Sequence, residues 1–454
     1  MDKIINIIKK NVTSLGITGI SILLILIIDF LGIFQSLELK ALDFAFGLRG
    51  PISGWMAHNN IHEKDSDIVI VDLDDESYRL IPWTYPYPRG DMWARVLENL
   101  SLAGAKVIVF DIEFIAKDQK SEYLKNLGKK TGFSPPIHGD LIFSDAIRNA
   151  KKRGTDVILA SEIANEPTRV PPQYIATPNT VIMNSEPITG LTNVIEDKDG
   201  FMRRYFVFIP LAHDKDKWYQ TIGIKAVHSY LGLPDDIVPI ADVKNHKIEY
   251  GPLIIPTYGE TPTFLINYAG PPSGKMVPGE AMAWKTFPRY PLSNIIDVAD
   301  ITLNDPIEDM DWMDPFIGNI PEWISMISDP EEKAQMMAML GISTFDVTQT
   351  PFYNKIVIIG ASTEVFQDTK KTPFYNYGGA RQLTPGMEAH SNAIQTILDN
   401  NYISIYGGNL DLTTESFWYH FLLIGGLSLI AMILFSFQNV YVTGIGIIGE
   451  ILVF

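Results

Sequence analysis

Carboxylates at the ends of two predicted strands are the residues whose types and spacing most favour ligand binding. Asp72 and Asp74 stand two positions apart at the end of the first strand, and Asp111 and Glu113 repeat that spacing at the end of the second. Residues two apart in a strand share a face, so neighbouring parallel strands would bring up to four carboxylates to one sheet edge. Such a cluster stays ionised only with cations nearby.

Three kinds of cation could meet these carboxylates. Arg89, in the PYPRGD turn, is the candidate side-chain partner, and a bound metal ion or a cationic ligand are the others. The structural alternative is that the acids cap loops and pair with Arg89, Arg203 or Arg204. On the ligand interpretation, the four carboxylates and Arg89 are the candidate binding residues.

Complete catalytic and cofactor motifs are missing from the sequence. It has no HExxH motif, no GxSxG elbow and no Ser/His/Asp order, so we assign no catalytic residue, no metal site and no cofactor. The GxGxxG match at 444–449 lies in an apolar segment and follows no strand, which favours helix packing. The acidic run at 197–200 fails the EF-hand register, because Ile195 and Phe206 would stand where carboxylates are needed; a turn is the better account.

Composition excludes further classes. The 454 residues include 36 Lys and Arg against 53 Asp and Glu, a net charge of -17, and no basic cluster that would bind nucleic acid. The absence of cysteine excludes disulfides, thiolate zinc sites, iron–sulfur clusters and cysteine nucleophiles. Hydrophobic residues make up 46%, enough to build a core.

Apolar runs that alternate with helical patterns indicate the elements that position these residues. The predicted strands lie at 68–73, 106–114, 156–160, 204–209, 263–267 and 355–359. The predicted helices lie at 91–102, 141–150 and 386–398. Strands alternating with helices favour right-handed crossovers, so we predict an α/β domain with a mainly parallel or mixed sheet.

Strongly apolar segments flank this region. Residues 12–34 are long enough for a bilayer core of about 30 Å, and three lysines within 1–11 predict a cytoplasmic N-terminus. A cleaved signal peptide is the alternative, but its apolar region would be shorter. We predict a returning transmembrane helix at 417–437, and the start of another at 440–454 in a chain that continues further. Residues 36–415 would then be extracytoplasmic, at the plasma (inner) membrane.

An acidic insert occupies 301–350. It holds ten acidic residues, six methionines and one basic residue, Lys333, with Trp312, Phe316 and Trp323 interleaved. Amphipathic pieces rich in methionine and tryptophan cover an apolar surface or meet a partner. A protein partner at this insert is therefore one prediction, and an ordinary peripheral insertion is the alternative.

Ordered motifs between 41 and 400 resemble one known family. They are ALDF (41–44), IVIVDLDDES (68–77), PYPR (86–89), GAKVIVFDIEF (104–114), EDKDGFMRRYFVF (196–208), KIVIIGASTEVFQDTKKTPF (355–374) and TPGMEAHSNAIQTIL (384–398). Together they resemble the second type of CHASE domain, an extracytoplasmic sensor associated with cyclases and histidine kinases. Two departures are Tyr87, where tryptophan is commoner, and Ser391, which replaces alanine.

The resemblance implies a signal receptor. In this family one membrane helix precedes the sensor, three usually follow it, and a cytoplasmic output comes next, here expected to be a class III adenylate or guanylate cyclase. Asp368, in a segment quoted for the resemblance, joins the ligand-binding candidates. Because 386–398 lies shortly before the returning membrane helix, we predict it to be the signal-transmitting helix, with Glu388, His390 and Asn392 as its polar residues. It also implies a homodimer in contact with membrane lipid, and leaves the extracytoplasmic ligand unknown.

Two other functions stay open. The chain could be a structural or assembly subunit of a membrane complex, with 301–350 as the docking segment. It could also be the sensor part of a histidine or Ser/Thr kinase. A hydrolase would need a nucleophile–base pair, which we do not find in the sequence.

Overall fold

A computed structural model describes residues 20, 23, 35–52, 66–258, 261–277, 279, 281–304, 311–318, 324, 326–339, 346–403, 422 and 426. The chain divides into two compact units, Phe46–Ile403 and a second made of Met1–Ala45 with Ser404–Phe454. The segments predicted to cross the membrane lie outside the described residues, apart from four isolated positions. Within the described ranges, no helix combines the length and apolar character that a bilayer crossing requires.

Sixteen strands are present in the described residues. They are β1 (Ile68–Leu73), β2 (Val107–Phe110), β3 (Asp156–Asn165), β4 (Gln173–Ala176), β5 (Ile188–Leu191), β6 (Arg204–Phe206), β7 (Phe208–Leu211), β8 (Asp214–Gln220), β9 (Ile240–Asp242), β10 (Lys247–Tyr250), β11 (Leu253–Pro256), β12 (Thr263–Leu265), β13 (Arg289–Pro291), β14 (Ile356–Ala361), β15 (Thr369–Lys370) and β16 (Thr384–Pro385).

Eleven α-helices are described as well. They are α1 (Gln35–Arg49), α2 (Asp75–Leu80), α3 (Ala94–Leu102), α4 (Gln119–Thr131), α5 (Gly139–Lys152), α6 (Thr180–Met183), α7 (Ile222–Leu231), α8 (Leu292–Ile296), α9 (Asp314–Ile317), α10 (Pro330–Met339) and α11 (Gly386–Leu398). A π-helical turn, Arg89–Trp93, leads directly into α3.

The main sheet is mixed and mostly parallel, as predicted. Its order is β13-β1-β14-β2-β3, with β5 parallel to β3 and β4 antiparallel to the end of β3. Strand β14 pairs in parallel with both β1 and β2, so these two are separated by one strand. Its run Ile-Val-Ile-Ile suits this central place, because parallel strands covered on both faces are built from continuous apolar residues.

Helices cover both faces of this sheet. On one face α3, α5 and α8 pack against alternate strand residues, such as Val69, Val71 and Phe110, in one large core. On the opposite face α7 and α11 contact β2, β3, β5, β1 and β14. Strand side chains alternate between faces, so Asp72 and Asp111 follow Ile70 and Val109 towards the face of α7 and α11.

Smaller antiparallel sheets account for the later predicted strands. The predicted strand 204–209 is divided into β6 and β7, and β6 pairs with β12, which is the predicted strand 263–267 shortened to three residues. Strand β7 pairs with β8, and β9, β10 and β11 form a three-stranded sheet. These strands lie outside the main sheet: β7 to β11 pair with their neighbours along the chain, and β6 pairs with β12 from a distant segment.

The described part of the acidic insert packs partly on the domain itself. Met313 is buried in the main core, and Trp312 and Phe316 pack against it. By contrast, Met326 and Met339 are 69% and 82% exposed. The part around Trp312 therefore covers the domain's own apolar surface, and the partner at 301–350 stays a prediction.

Candidate ligand site at the carboxyl edge of the sheet

The predicted convergence of four carboxylates required β1 and β2 to be neighbours. They are not, because β14 enters between them from almost three hundred residues further along the chain than β1. Asp72 and Asp74 accordingly lie on one side of β14, and Asp111 and Glu113 on the other. The two pairs have different surroundings.

Asp72 belongs to a buried network. Its carboxylate is paired with Arg289 and accepts a hydrogen bond from the Ser362 hydroxyl at 2.7 Å. Arg289 also donates to the carbonyl oxygen of Ser273. Burial raises the pKa of Asp72, although the Arg289 charge opposes the rise. Asp72 thus fixes β13 against β1 and β14.

Asp74 caps α2. Its carboxylate accepts a hydrogen bond from the backbone N–H of Ser77 at 2.7 Å. A carboxylate in this place satisfies one of the free donors at the start of a helix. This is the capping role that the structural alternative gives to the strand-end acids.

Arg89 pairs with a helix residue and not with the strand-end carboxylates. Its guanidinium lies 2.5 Å from Asp140 at the start of α5, and both side chains are buried. The backbone N–H of Arg89 donates to Asp118 at 3.0 Å, and its guanidinium lies 5.3 Å from the centre of the Phe114 ring. Arg89 therefore fastens the turn before α3 to α5, at the wall of the pocket described next.

Asp111, Glu113 and Asp368 line a pocket of about 710 Å³ at the end of β2. Burial raises the pKa of Asp111 to about 6, with the Lys370 charge opposing the rise. Burial also raises the pKa of Asp368, and the Asp111 charge adds to it. Glu113 has a raised pKa from burial and from the neighbouring Glu162. The sequence predicted these three carboxylates as ligand-binding residues, and the structure brings them together.

Aromatic side chains form much of the rest of the wall. They belong to Tyr85, Tyr87, Trp93 and Phe366. Tyr85 contacts Phe366 with ring centres 4.6 Å apart and Tyr87 at 5.8 Å, both edge to face. The Tyr87 hydroxyl is buried and has no hydrogen-bond partner among the residues that the structure describes. The pocket thus has an acidic end and an apolar wall.

A smaller pocket of about 230 Å³ adjoins the same three carboxylates. Lys370, Gly386 and His390 also line it. Nε2 of His390 lies 3.9 Å from Oδ1 of Asp111. Burial lowers the pKa of His390 to about 4, so the imidazole is neutral at pH 7 and does not neutralise Asp111.

Tyr205 orients this histidine. The Tyr205 hydroxyl accepts a hydrogen bond from the backbone N–H of Gly223 at 3.1 Å and lies 2.6 Å from Nδ1 of His390. When the Tyr205 hydroxyl donates its proton to Nδ1, the neutral ring carries its own proton on Nε2, towards Asp111.

The other polar residues of α11 point to a different part of the domain. Glu388 accepts hydrogen bonds from the backbone N–H and the hydroxyl of Ser273, at 2.8 and 2.9 Å. Asn392 accepts one from the backbone N–H of Ala269 at 2.8 Å. Glu388 and Asn392 are one turn apart and share a face, whereas His390 lies on another. Burial raises the pKa of Glu388 to about 7.

Arg203 and Arg204 are engaged in the predicted turn at 197–200. Arg203 pairs with Asp197 at 2.8 Å and with Asp199 at 2.7 Å, and Arg204 pairs with Asp197 at 2.5 Å. Gly200 adopts a φ of +77°, which suits glycine at a tight turn. The pairing of the strand-end acids with these two arginines, which the structural alternative included, does not occur in the contacts of the described residues.

Several site residues were missed in the sequence. Arg289 and Ser273 lie in a stretch where the sequence showed no motif, and Asp140 stands far from its partner Arg89. Tyr205 and Lys370 lie inside motifs quoted for the family resemblance, which marked their segments but not their individual roles. No group of His, Asp and Glu within the described ranges has the arrangement of a metal site.

Comparison with known proteins agrees with this fold. A family model, the CHASE2 domain, matches residues 20–433. Searches of curated proteins and of solved structures gave no match. Since the family match covers most of the chain, the protein belongs to the CHASE2 family, whose members are extracytoplasmic sensor domains of signalling receptors.

Proposed function

We propose that this chain is the sensing part of a membrane-anchored receptor that relays an extracytoplasmic stimulus to a class III adenylate or guanylate cyclase encoded after it. Family membership supports the sensing role, and the apolar segments predicted at 12–34 and 417–437 support anchoring. A histidine kinase or Ser/Thr kinase output is the alternative, and the same sensor would serve it.

One observation carries the proposal: a residue that lines the pocket also contacts the first residue of the last helix. Asp368 lines the pocket, and its carbonyl oxygen accepts a hydrogen bond from the backbone N–H of Gly386, the first residue of α11, at 3.0 Å. The absence of a side chain at Gly386 leaves room for the Asp368 carboxylate against the start of the helix. A ligand that moves Asp368 therefore acts on α11 directly.

Helix α11 is well suited to pass on such a change. Almost every residue from Gly386 to Ile397 is buried, and its polar residues are held by separate segments: Glu388 by Ser273, Asn392 by Ala269 and His390 by Tyr205. A ligand can shift the output only through different affinities for two arrangements of this helix. The helix ends at Leu398, shortly before the predicted membrane segment 417–437.

A fusion tests the receptor function. A heterologous class III cyclase domain is joined after Asn439, which the predicted topology places on the cytoplasmic side, in bacteria that lack their own cyclase, and cyclic nucleotide is measured. We expect Asp368→Asn to change the basal output at least threefold, and Asp145→Asn, an exposed charge on α5, to leave it unchanged. If neither Asp368→Asn nor any change in the periplasmic medium alters the output, the receptor function is wrong.

Membrane anchoring has a separate test that uses the absence of cysteine. Thr168→Cys places a single thiol in an exposed turn of the sensor unit, and Asp2→Cys places one in the predicted cytoplasmic segment. A membrane-impermeant maleimide should label the first in intact spheroplasts and the second only after permeabilisation. The reverse pattern would contradict the proposed orientation.

A further inference from the structure

The pocket at the end of β2 has the size of a site for a small organic molecule. Its volume is about 710 Å³, within the range of roughly 300–1,000 Å³ that ligand pockets occupy. Its wall is mainly apolar and aromatic, and its charged groups converge at one end. Known ligand sites combine these features, whereas a bare ion would leave most of this volume to water.

The charges that line the pocket leave a negative excess. Arg89 is paired with Asp140, and Asp118 accepts hydrogen bonds from the backbone N–H groups of Arg89 and Ser121 and from the Ser121 hydroxyl. Both groups are therefore already satisfied.

Three carboxylates remain, and the two lysines near them are Lys117, which is exposed at the pocket wall, and Lys370, which is already paired with Glu196 at 3.3 Å. No carboxylate oxygen of Asp111 accepts a hydrogen bond from a described residue, although its side chain is only 9% exposed; the neutral His390 lies 3.9 Å away, beyond hydrogen-bond distance. A carboxylate as little exposed as that of Asp111 and without donors disfavours an anionic ligand and favours one that brings its own donors and positive charge.

A second observation points to a ligand independently of the acids. Tyr87 is 3% exposed and lines the pocket, and its hydroxyl has no partner in the described part of the chain. Buried tyrosine hydroxyls normally find a partner. Tyr87 lines the pocket, so a ligand that opens the packing around its ring would supply one.

The aromatic wall favours an organic cation over a metal ion. The rings of Tyr85, Tyr87, Trp93 and Phe366 offer apolar surface and π faces, which attract organic cations. A divalent metal ion needs several oxygen ligands at short, regular distances, and no such group exists among the described acidic and histidine side chains. The surroundings therefore suit an ammonium group carried on an apolar body.

We propose that this pocket binds a small organic amine, whose ammonium group lies among Asp111, Glu113 and Asp368 while its apolar body rests on the aromatic wall. The inference rests on the proposed sensing function and names the chemical class of its ligand. Asp368 would then join ligand binding to α11.

Binding is measured by calorimetry on the full 454-residue chain purified in detergent at pH 7.5. The probes are phenethylamine, tyramine, cadaverine and butylamine, with 2-phenylethanol as the uncharged match of phenethylamine and calcium chloride as the metal probe. We expect at least one amine to bind with one site per chain. 2-Phenylethanol should bind at least tenfold more weakly than phenethylamine, and calcium should not compete.

The variants separate ligand binding from structure. Asp111→Asn and Asp368→Asn should each weaken amine binding about ten- to a hundredfold, and Tyr87→Phe about three- to tenfold, as expected for charged and neutral hydrogen bonds. Asp145→Asn should bind like the wild type. Without amine, Asp111→Asn should melt at a higher temperature than the wild type, because it removes a buried charge that lacks donors.

A variant that melts at a higher temperature but binds the amine more weakly excludes a merely structural role for Asp111. If Asp111→Asn does not fold, Glu113→Gln, at an exposed position of the same pocket, takes its place.

The proposal is overturned if none of the four amines binds at 10 mM, if 2-phenylethanol binds as tightly as phenethylamine, or if the carboxylate variants bind like the wild type. Amine binding without any change in the fused cyclase would refute only the receptor function, and an output response without amine binding would refute only this site.

Discussion

Replacing Glu388 by glutamine tests whether the buried carboxyl group of Glu388 on α11 holds a proton in the folded protein. Burial raises the pKa of Glu388 from 4.5 to about 7, and the Asp72 charge adds to the rise. The hydrogen bonds from Ser273 and the Arg289 charge favour the ionised form and oppose the rise. Between pH 4.5 and 7 the folded protein therefore keeps a proton that the unfolded chain has released. Glutamine keeps the shape and can still accept from Ser273, but it carries no charge at any pH.

The sign and size follow from linkage. The stabilising contribution of the bound proton is fully present below pH 4.5 and is lost as the pH rises through about 7. At about 1.36 kcal/mol per pH unit, it amounts to at most about 3 kcal/mol. Glu388→Gln should therefore match the wild type near pH 4 and exceed its free energy of unfolding by as much as about 3 kcal/mol at pH 8.5.

The assay is urea unfolding of the full chain in detergent, followed by tryptophan fluorescence from pH 4 to 9. Asp111 and His390 also titrate with the fold, but both are present in the two proteins, so the difference between them isolates Glu388. Glu332→Gln, an exposed charge on α10, is the matched control and should show no trend. A constant difference across the pH range, or a wild type more stable than Glu388→Gln at pH 8.5, would refute the reasoning.

Two further substitutions test how the pocket wall is held. Asp140→Asn leaves the Arg89 guanidinium buried without its charged partner. It should lower the free energy of unfolding, measured with urea, by about 3–5 kcal/mol. A loss below about 1 kcal/mol would show that the pair is not buried. Gly386→Ala places a methyl group against the Asp368 carboxylate and should lower the free energy of unfolding by about 1–3 kcal/mol. Gly47 is a helical glycine with open space around it, so Gly47→Ala should leave the free energy of unfolding unchanged or raise it by up to about 1 kcal/mol. Equal melting temperatures for the two alanine variants would contradict the packing of Gly386.

Elements with strong local patterns could be predicted from the sequence. The run Ile68–Leu73 and the helix Gly386–Leu398 have the bounds predicted for them, because a β-branched apolar run and a helical apolar period are each encoded within a few residues. The predicted strand 106–114 is shorter, Val107–Phe110. Its last residues leave the sheet where the carboxylates begin, and local pattern does not mark that point.

Contacts between distant segments could not be predicted. The insertion of β14 between β1 and β2 depends on hydrogen bonds between strands that lie far apart in the chain. The partner of Asp72 is Arg289, 217 residues away, and the partner of Arg89 is Asp140, 51 residues away. A sequence shows which residues carry charge, but the pairing of charges is decided by tertiary packing.

The position of β14 also explains why α11 can serve two polar networks. Since β14 lies under α11, the helix reaches the β1 side, where Glu388 meets Ser273 and the Arg289 network, and the β2 side, where His390 meets Tyr205 and Asp111. Buried hydrogen bonds favour a few discrete arrangements over gradual displacement, because each unpaired group is costly. We therefore expect a change at Asp111 or Asp368 to alter the packing of α11 against both networks, which is what a signal-transmitting helix would require.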